Sequence, residues 1–297
     1  MSTRRPLEGL RVVEVGVALA GPFSGSLLAE LGAHVIKIER PGGGDPMRLM
    51  GPSVGDTTVW WGVAARAKLC VDLDLKDPAA REVFLGLVKG ADVMVENYRP
   101  GVLDRLGLGW PALKALNPRL VMLSISGFGQ TGPLSGRPGF GKIAEAMSGI
   151  VALTGKPDDV PMHIGFSLAD TATGLMGTFG VALALFQRDV GTRRALAGNA
   201  GLAGQPGAGA AAGAVGGAGT GADARASAPA AAEGAAAAGS GHGTRVDVAL
   251  FEPLFRIAEC QLALCERLGR PPMREGSNHP YGWGASGTDD ALVPLQC

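Results

Sequence analysis

"LRVVEVGVALAGPFSGSLLAELGAHVIKIE", Leu10 to Glu39, is the stretch from which the fold follows. Leu10–Val15 is a short run rich in β-branched residues, which favour strands. A glycine-bearing turn follows it. "PFSGSLLAELG" (Pro22–Gly32) reads as a helix, with Pro near its first turn and Gly past its end. "HVIKIE" (His34–Glu39) is a second strand. Working outward, the alternation continues through "LCVDL" (Leu69–Leu73), a helix over "DPAAREVFLGLVKG", and "ADVMVE" (Ala91–Glu96). A short helix around "PALKALN" then leads to "LVMLSI" (Leu120–Ile125). Further on, "TRVDVALFEPLFRIAECQLALCERLG" restores strand-then-helix texture, with Leu254, Ile257, Ala258, Gln261, Leu262 and Cys265 on an i, i+3, i+4 course. Strands separated by helices of this length predict an α/β fold, a Rossmann-like parallel sheet covered by helices with right-handed crossovers.

Two segments break the pattern. From 195 to 243 the chain is Ala/Gly low complexity with almost no large side chains, so burial cannot offset its ordering entropy. A linker or insert is expected there. The final stretch, 281–297, shows no periodicity and reads as an atypical terminus. The expected organisation is therefore 1–194 as the large unit, 195–243 as linker, 244–280 as its continuation, then the terminus.

The 297 residues carry a formal net charge of zero, which argues against a general nucleic-acid binder. Cys70, Cys260, Cys265 and Cys297 have no C-x-x-C pairing and read as reduced thiols. "MSTRRPLEGLRVVEV" lacks the apolar core of a secretory signal. No run approaches the roughly 18 apolar residues of a spanning helix, "GLMGTFGVALALF" being short and rich in glycine. A cytoplasmic protein without membrane attachment is the expectation.

Several residues invite chemistry. Gly16, Gly21 and Gly25 have the wrong spacing for a dinucleotide fingerprint, and no Walker lysine follows. Glu39, ending the second strand, mimics the ribose-binding acid of a dinucleotide fold. Arg40 and Arg48 flank "PGGGDPM", either a surface turn or a guanidinium grip on phosphate. Asn97, Tyr98, Arg99 and Arg105 follow a predicted strand at the end where open α/β sheets bind ligands. His34, His163, His242 and His279 have no metal spacing, so no metal site is expected. No G-x-S-x-G elbow is present. "SGFGQTGPLSGRPGFGKIAEAMSG" reads as a glycine-rich loop, approached by a ligand or merely connecting. In "GFSLADTATGL" a single carboxylate, Asp170, stands at the entrance of a long apolar segment. Either it caps the helix, or the helix end aims it at a substrate.

Taken together and in order, six segments resemble the family III CoA-transferases, the CaiB/BaiF group. They are "PLEGLRVVEVGVALAGPFSGSLLAELGAHVIKIERPGGGDPMR", "LCVDLDLKDPAAREVFLGLVKGADVMVENYRPGVLDRLGLGW", "NPRLVMLSISGFGQTGP", "PGFGKIAEAMSGIVALTG", "GFSLADTATGL" and "TRVDVALFE". The resemblance implies a transferase that moves CoA from an acyl-CoA to a carboxylic acid, with Asp170 as nucleophile. An aspartyl anhydride and then an aspartyl-CoA thioester are the implied intermediates. No metal, ATP or permanent cofactor is implied, the CoA thioester being a substrate. Ala20, Arg40, Leu73, Asn97, Tyr98 and Arg105 fall on the family's CoA-contacting positions.

Departures are also visible. Leu19 stands where the formyl branch has Gln, and Gly141 where that branch has an acid. "PGFGKIAEA" is closer in wording to branches handling dicarboxylic or carnitine-type acyl groups. A racemase branch pairs the same Asp with a His from the segment matching Pro138–Lys142, which here holds none; His163 lies off that pattern. Family members are longer and form interlocked homodimers. The resemblance therefore implies a chain truncated at its C-terminus and carrying an Ala/Gly-rich insert, either an active dimer or an inactive fragment.

Overall fold

The computed structural model describes residues 4–199, 241–258, 261–269, 274 and 276. The chain opens with β1 (Arg11–Glu14), α1 (Ala20–Glu30) and β2 (His34–Glu39). A short excursion follows, comprising the 3-10 turn Pro46–Leu49, the hairpin β3 (Ser53–Val54) and β4 (Thr57–Thr58), and α2 (Val59–Ala64). Then come β5 (Lys68–Asp72), α3 (Pro78–Lys89), β6 (Val93–Glu96), α4 (Val102–Arg105), α5 (Trp110–Leu116) and β7 (Val121–Ser126). α6 (Gly141–Met147), α7 (Ile150–Leu153) and α8 (Leu168–Asn199) precede β8 (Arg245–Ala249), α9 (Glu252–Ile257) and α10 (Gln261–Leu268).

The six long strands form one parallel sheet in the order β5-β2-β1-β6-β7-β8. The order of the strands reverses between β1 and β6, and the crevice at their carboxyl ends is where such sheets bind ligands. Side chains alternate across the sheet. Val12, Val35, Val95, Leu123 and Ile125 pack on one face with α1 and α8 residues. Val13, Met94 and Met122 face the other way, onto Phe84 and Val88 of α3 and Leu113 of α5.

α8 packs closely through its glycines. A Cβ at Gly174 would lie 2.7 Å from Phe23 and 3.1 Å from the Ala20 carbonyl. One at Gly177 would meet Leu123 at 3.0 Å, and one at Gly180 would meet Val246 at 2.8 Å. These glycines lie on one face of the helix and let it sit against α1, β7 and β8.

Each expected strand is present within a residue or two. Three expectations need correcting. The glycine-rich 127–149 stretch is not all loop, since α6 forms inside it. The excursion with β3, β4 and α2 was not foreseen. Leu168–Val190, 23 residues, contains an 18-residue window of mean hydropathy 1.4, long and apolar enough by length and composition alone to cross a membrane, although no such run was expected. Its glycine face is nevertheless packed on the sheet. α8 runs to Asn199. Most of 195–243 and all of 281–297 lie outside the described residues.

Candidate active site

Two cavities open at the carboxyl ends of the strands, and Val17 lines both. One, of about 350 Å³, is walled by the loop after β1 (Val17–Ala20), Asn97, residues 125–127, Phe140, Leu250 and Asp170. The other, of about 330 Å³, is lined by Lys37, Arg40, Asp45, Leu73, Lys76 and Tyr98, among others.

The loop between the cavities is held by a chain of polar contacts. The Asn97 amide clamps Val17, accepting its N–H at 2.8 Å and donating to its carbonyl at 2.8 Å. Ala18 adopts the left-handed φ of 59°, a conformation that costs a residue with a Cβ. Its N–H is taken by Asp45 Oδ1 at 3.1 Å. Asp45 is ion-paired with Lys37 at 2.9 Å, and Lys37 also reaches Glu14 at 2.8 Å and the Gly16 carbonyl at 2.7 Å. Burial alone would depress the Lys37 ammonium, but Glu14 and Asp45 together hold it above its usual range. Lys68 pairs with the second Glu14 oxygen at 2.8 Å; there burial prevails and pushes the ammonium down. These buried charges fix the backbone of the loop after β1.

Asp170 stands in the first turn of α8. Burial, and secondarily the Glu145 carboxylate, push it from 3.8 to about 6; a hydrogen bond from its own N–H pulls the other way. It is the only ionisable side chain lining its cavity among the described residues. A Cβ at Gly141 would fall 2.7 Å from Asp170 Oδ2, so a larger residue there would press on the carboxylate. Ala169 and Ala172 are buried around it, whereas Gly174 serves the contact with α1.

The anticipated positions divide between the cavities. Ala20 and Asn97 share Asp170's cavity, and Arg40, Leu73 and Tyr98 line the second. Arg105 is exposed at the end of α4 and lines neither, although its neighbour Leu106 lines the second. Glu39 and Arg48 are corrected: they are bonded to each other at 2.7 and 2.9 Å, and Arg48 stacks 3.8 Å over Trp61. Despite its burial, Glu39 is held down at about 2 by Arg48 and the Asp45 amide. Neither residue is free for ribose or phosphate. His163 turns its Nδ1 to Glu145 at 2.8 Å. Among the described residues no group of His, Cys, Asp and Glu is placed to hold a metal.

Sequence reasoning missed Lys37, Asp45, Glu14 and Glu145. A readable signal existed for the first: a lysine amid "HVIKIE", a strand buried on both faces, has to find a buried partner.

A parallel α/β sheet with a half-buried carboxylate at the carboxyl ends of its strands defines an enzyme-like domain of the Rossmann type. The chain belongs to CoA-transferase family III, whose sequence model matches residues 7–193. It is 50% identical over 185 residues to the succinyl-CoA–D-citramalate CoA-transferase of Chloroflexus aurantiacus, covering 62% of this chain and 46% of that one. It is 36% identical to the acetyl-CoA:oxalate CoA-transferase of Acetobacter aceti over 93% of this chain and 59% of that one. A CaiB/BaiF family protein of Brucella suis superimposes with a TM-score of 0.72 at 33% identity, covering 94% of this chain and 62% of that one. The chain thus spans about half the length of the curated relatives it matches.

Proposed function

We propose that this chain is the CoA-binding and nucleophile-bearing unit of a CoA-transferase, made of residues 1–194 together with 244–280. The observation that carries the reading is Asp170, a half-buried, lone carboxylate in a cavity otherwise lined by neutral groups. One Asp170 oxygen attacks the thioester carbonyl carbon, the C–S bond breaks, and the electron pair leaves on the CoA thiolate. The thiolate then attacks Cγ of the resulting anhydride, releasing the donor acid as carboxylate and leaving an aspartyl-CoA thioester. An acceptor carboxylate repeats the cycle in reverse. Water would hydrolyse the anhydride, so a pocket of small and apolar side chains suits the chemistry.

The second cavity supports CoA as the other half of the substrate. Arg40 at its rim suits phosphate, and Leu73 and Tyr98 suit the apolar parts of the ligand, while Val17 would be passed by the pantetheine arm. Ala20 and Asn97 would line the path to Asp170. We assign Arg105 to the phosphate end on family position alone. Dicarboxylic acids are the proposed acceptor class, by analogy with the substrates in the relatives' names. The working form would be a cytoplasmic, interlocked homodimer, with no nucleic-acid or membrane partner.

The test is covalent trapping. Incubated with succinyl-CoA, the protein is expected to gain a mass on the Asp170 peptide that hydroxylamine removes. Asp170→Ala should abolish both the adduct and CoA exchange between acids. No adduct in folded protein across a panel of acyl-CoAs would identify an inactive fragment. Solvent exchange of an α-proton without transfer would identify a racemase.

A further inference from the structure

Glu145 is a carboxylate with too few partners. It is fully buried on α6, and its Oε2 takes Lys142 Nζ at 3.2 Å and His163 Nδ1 at 2.8 Å. Its Oε1 is buried without a hydrogen-bond partner. An orphaned acceptor of this kind costs stability and calls for a reason. Gly141 lies one turn earlier, on the same face of α6, and the space beside its α-carbon is occupied by the Asp170 carboxylate. The face of α6 that carries Glu145 is therefore turned toward the nucleophile.

Resting on the transferase reading above, we propose that Glu145 is a positioning residue whose negative charge favours the uncharged, acylated form of Asp170. The charge count carries the argument. Free Asp170 is an anion beside another carboxylate. In the anhydride its charge has moved to the CoA sulfur, and in the aspartyl thioester to the released acid. Every covalent intermediate removes a like-charge repulsion, while the departing anion carries its charge away from Glu145. The same repulsion contributes to the raised Asp170 carboxyl. Lys142 and His163 moderate this field from one Glu145 oxygen only. Of the elements packed on α8, α9 carries Glu252, whose carboxylate is taken by the Ala249 amide.

Glu145→Gln keeps the shape and removes the charge. It is expected to lower the hydroxylamine-sensitive adduct on Asp170 at pH 7 by about five- to tenfold, and to move the midpoint of its pH dependence downward. Lys142→Met should do the reverse, raising the adduct fraction and moving the midpoint upward. A merely structural role would depress both variants alike. Unchanged adduct and midpoint in Glu145→Gln, or both variants moving the same way, overturns the proposal. If Glu145→Gln does not fold, Lys142→Met decides alone: an adduct that fails to rise overturns it. If the unaltered protein forms no adduct, the transferase reading fails first and this inference falls with it.

Discussion

Asp170 titrates near 6 in the fold against 3.8 in water, because burial and then Glu145 disfavour its anion. The folded state thus holds the proton more tightly than the unfolded chain does. Its stabilising contribution is complete below pH 3.8 and is lost as pH rises through about 6. Asp170→Asn should therefore stabilise the protein at pH 7.5 by about 1–3 kcal/mol, with the gain vanishing below pH 4. Urea midpoints at the two pH values check this, and a loss of stability at pH 7.5 would instead mark a capping role. Nucleophilic activity should run oppositely and rise through pH 6. The stretch "GFSLADTATGL" singled out this residue as the one acid before a long apolar run, with capping and substrate attack both open. Glu145 was not legible, because its partner Asp170 is 25 positions away and only the packing of α6 on α8 joins them.

Among the elements, α8 shows how glycine placement decides where the site lies. Gly174 lets the helix meet α1 at Ala20 and Phe23, and Ala20 lines the same cavity as Asp170. Gly174→Val should cost about 2–3 kcal/mol through overpacking and also reduce Asp170 labelling, since it pushes apart the two helices that frame the cavity. Gly86→Ala on α3 is the contrasting case. Nothing lies within 4 Å of its Cβ position, so about 0.5–1 kcal/mol of stabilisation is expected with labelling unchanged. Thermal denaturation with adduct mass separates the two outcomes. The strands themselves were readable from β-branched runs between helices, since local preference and burial agree there. The hairpin, α2 and α6 were hidden, because short elements amid glycine are stabilised by neighbours rather than by their own periodicity.

For the whole molecule, the side of α8 away from the sheet exposes an apolar row. Leu175, Phe179, Leu183 and Phe186 recur at helical spacing, with Phe179 60% and Phe186 68% exposed. On the homodimer reading this row is covered by the partner. Phe179→Asp combined with Phe186→Asp should then convert a dimer into a monomer in sedimentation velocity, with the circular dichroism unchanged. A monomer before any substitution would sink that assignment. The class of fold was legible at this scale because six ordered segments resembled one family. The buried Lys37–Glu14–Asp45 framework was not, since it depends on strands meeting side by side. One topological detail has a temporal consequence. β8 closes the sheet beside β7, with Arg245 bonded to Ser124 across 121 positions of sequence. At ribosomal speeds, the growing polypeptide leaves that strand's edge bare for roughly ten seconds. During synthesis this is the site where a chaperone has most to protect and a neighbouring nascent chain most to capture.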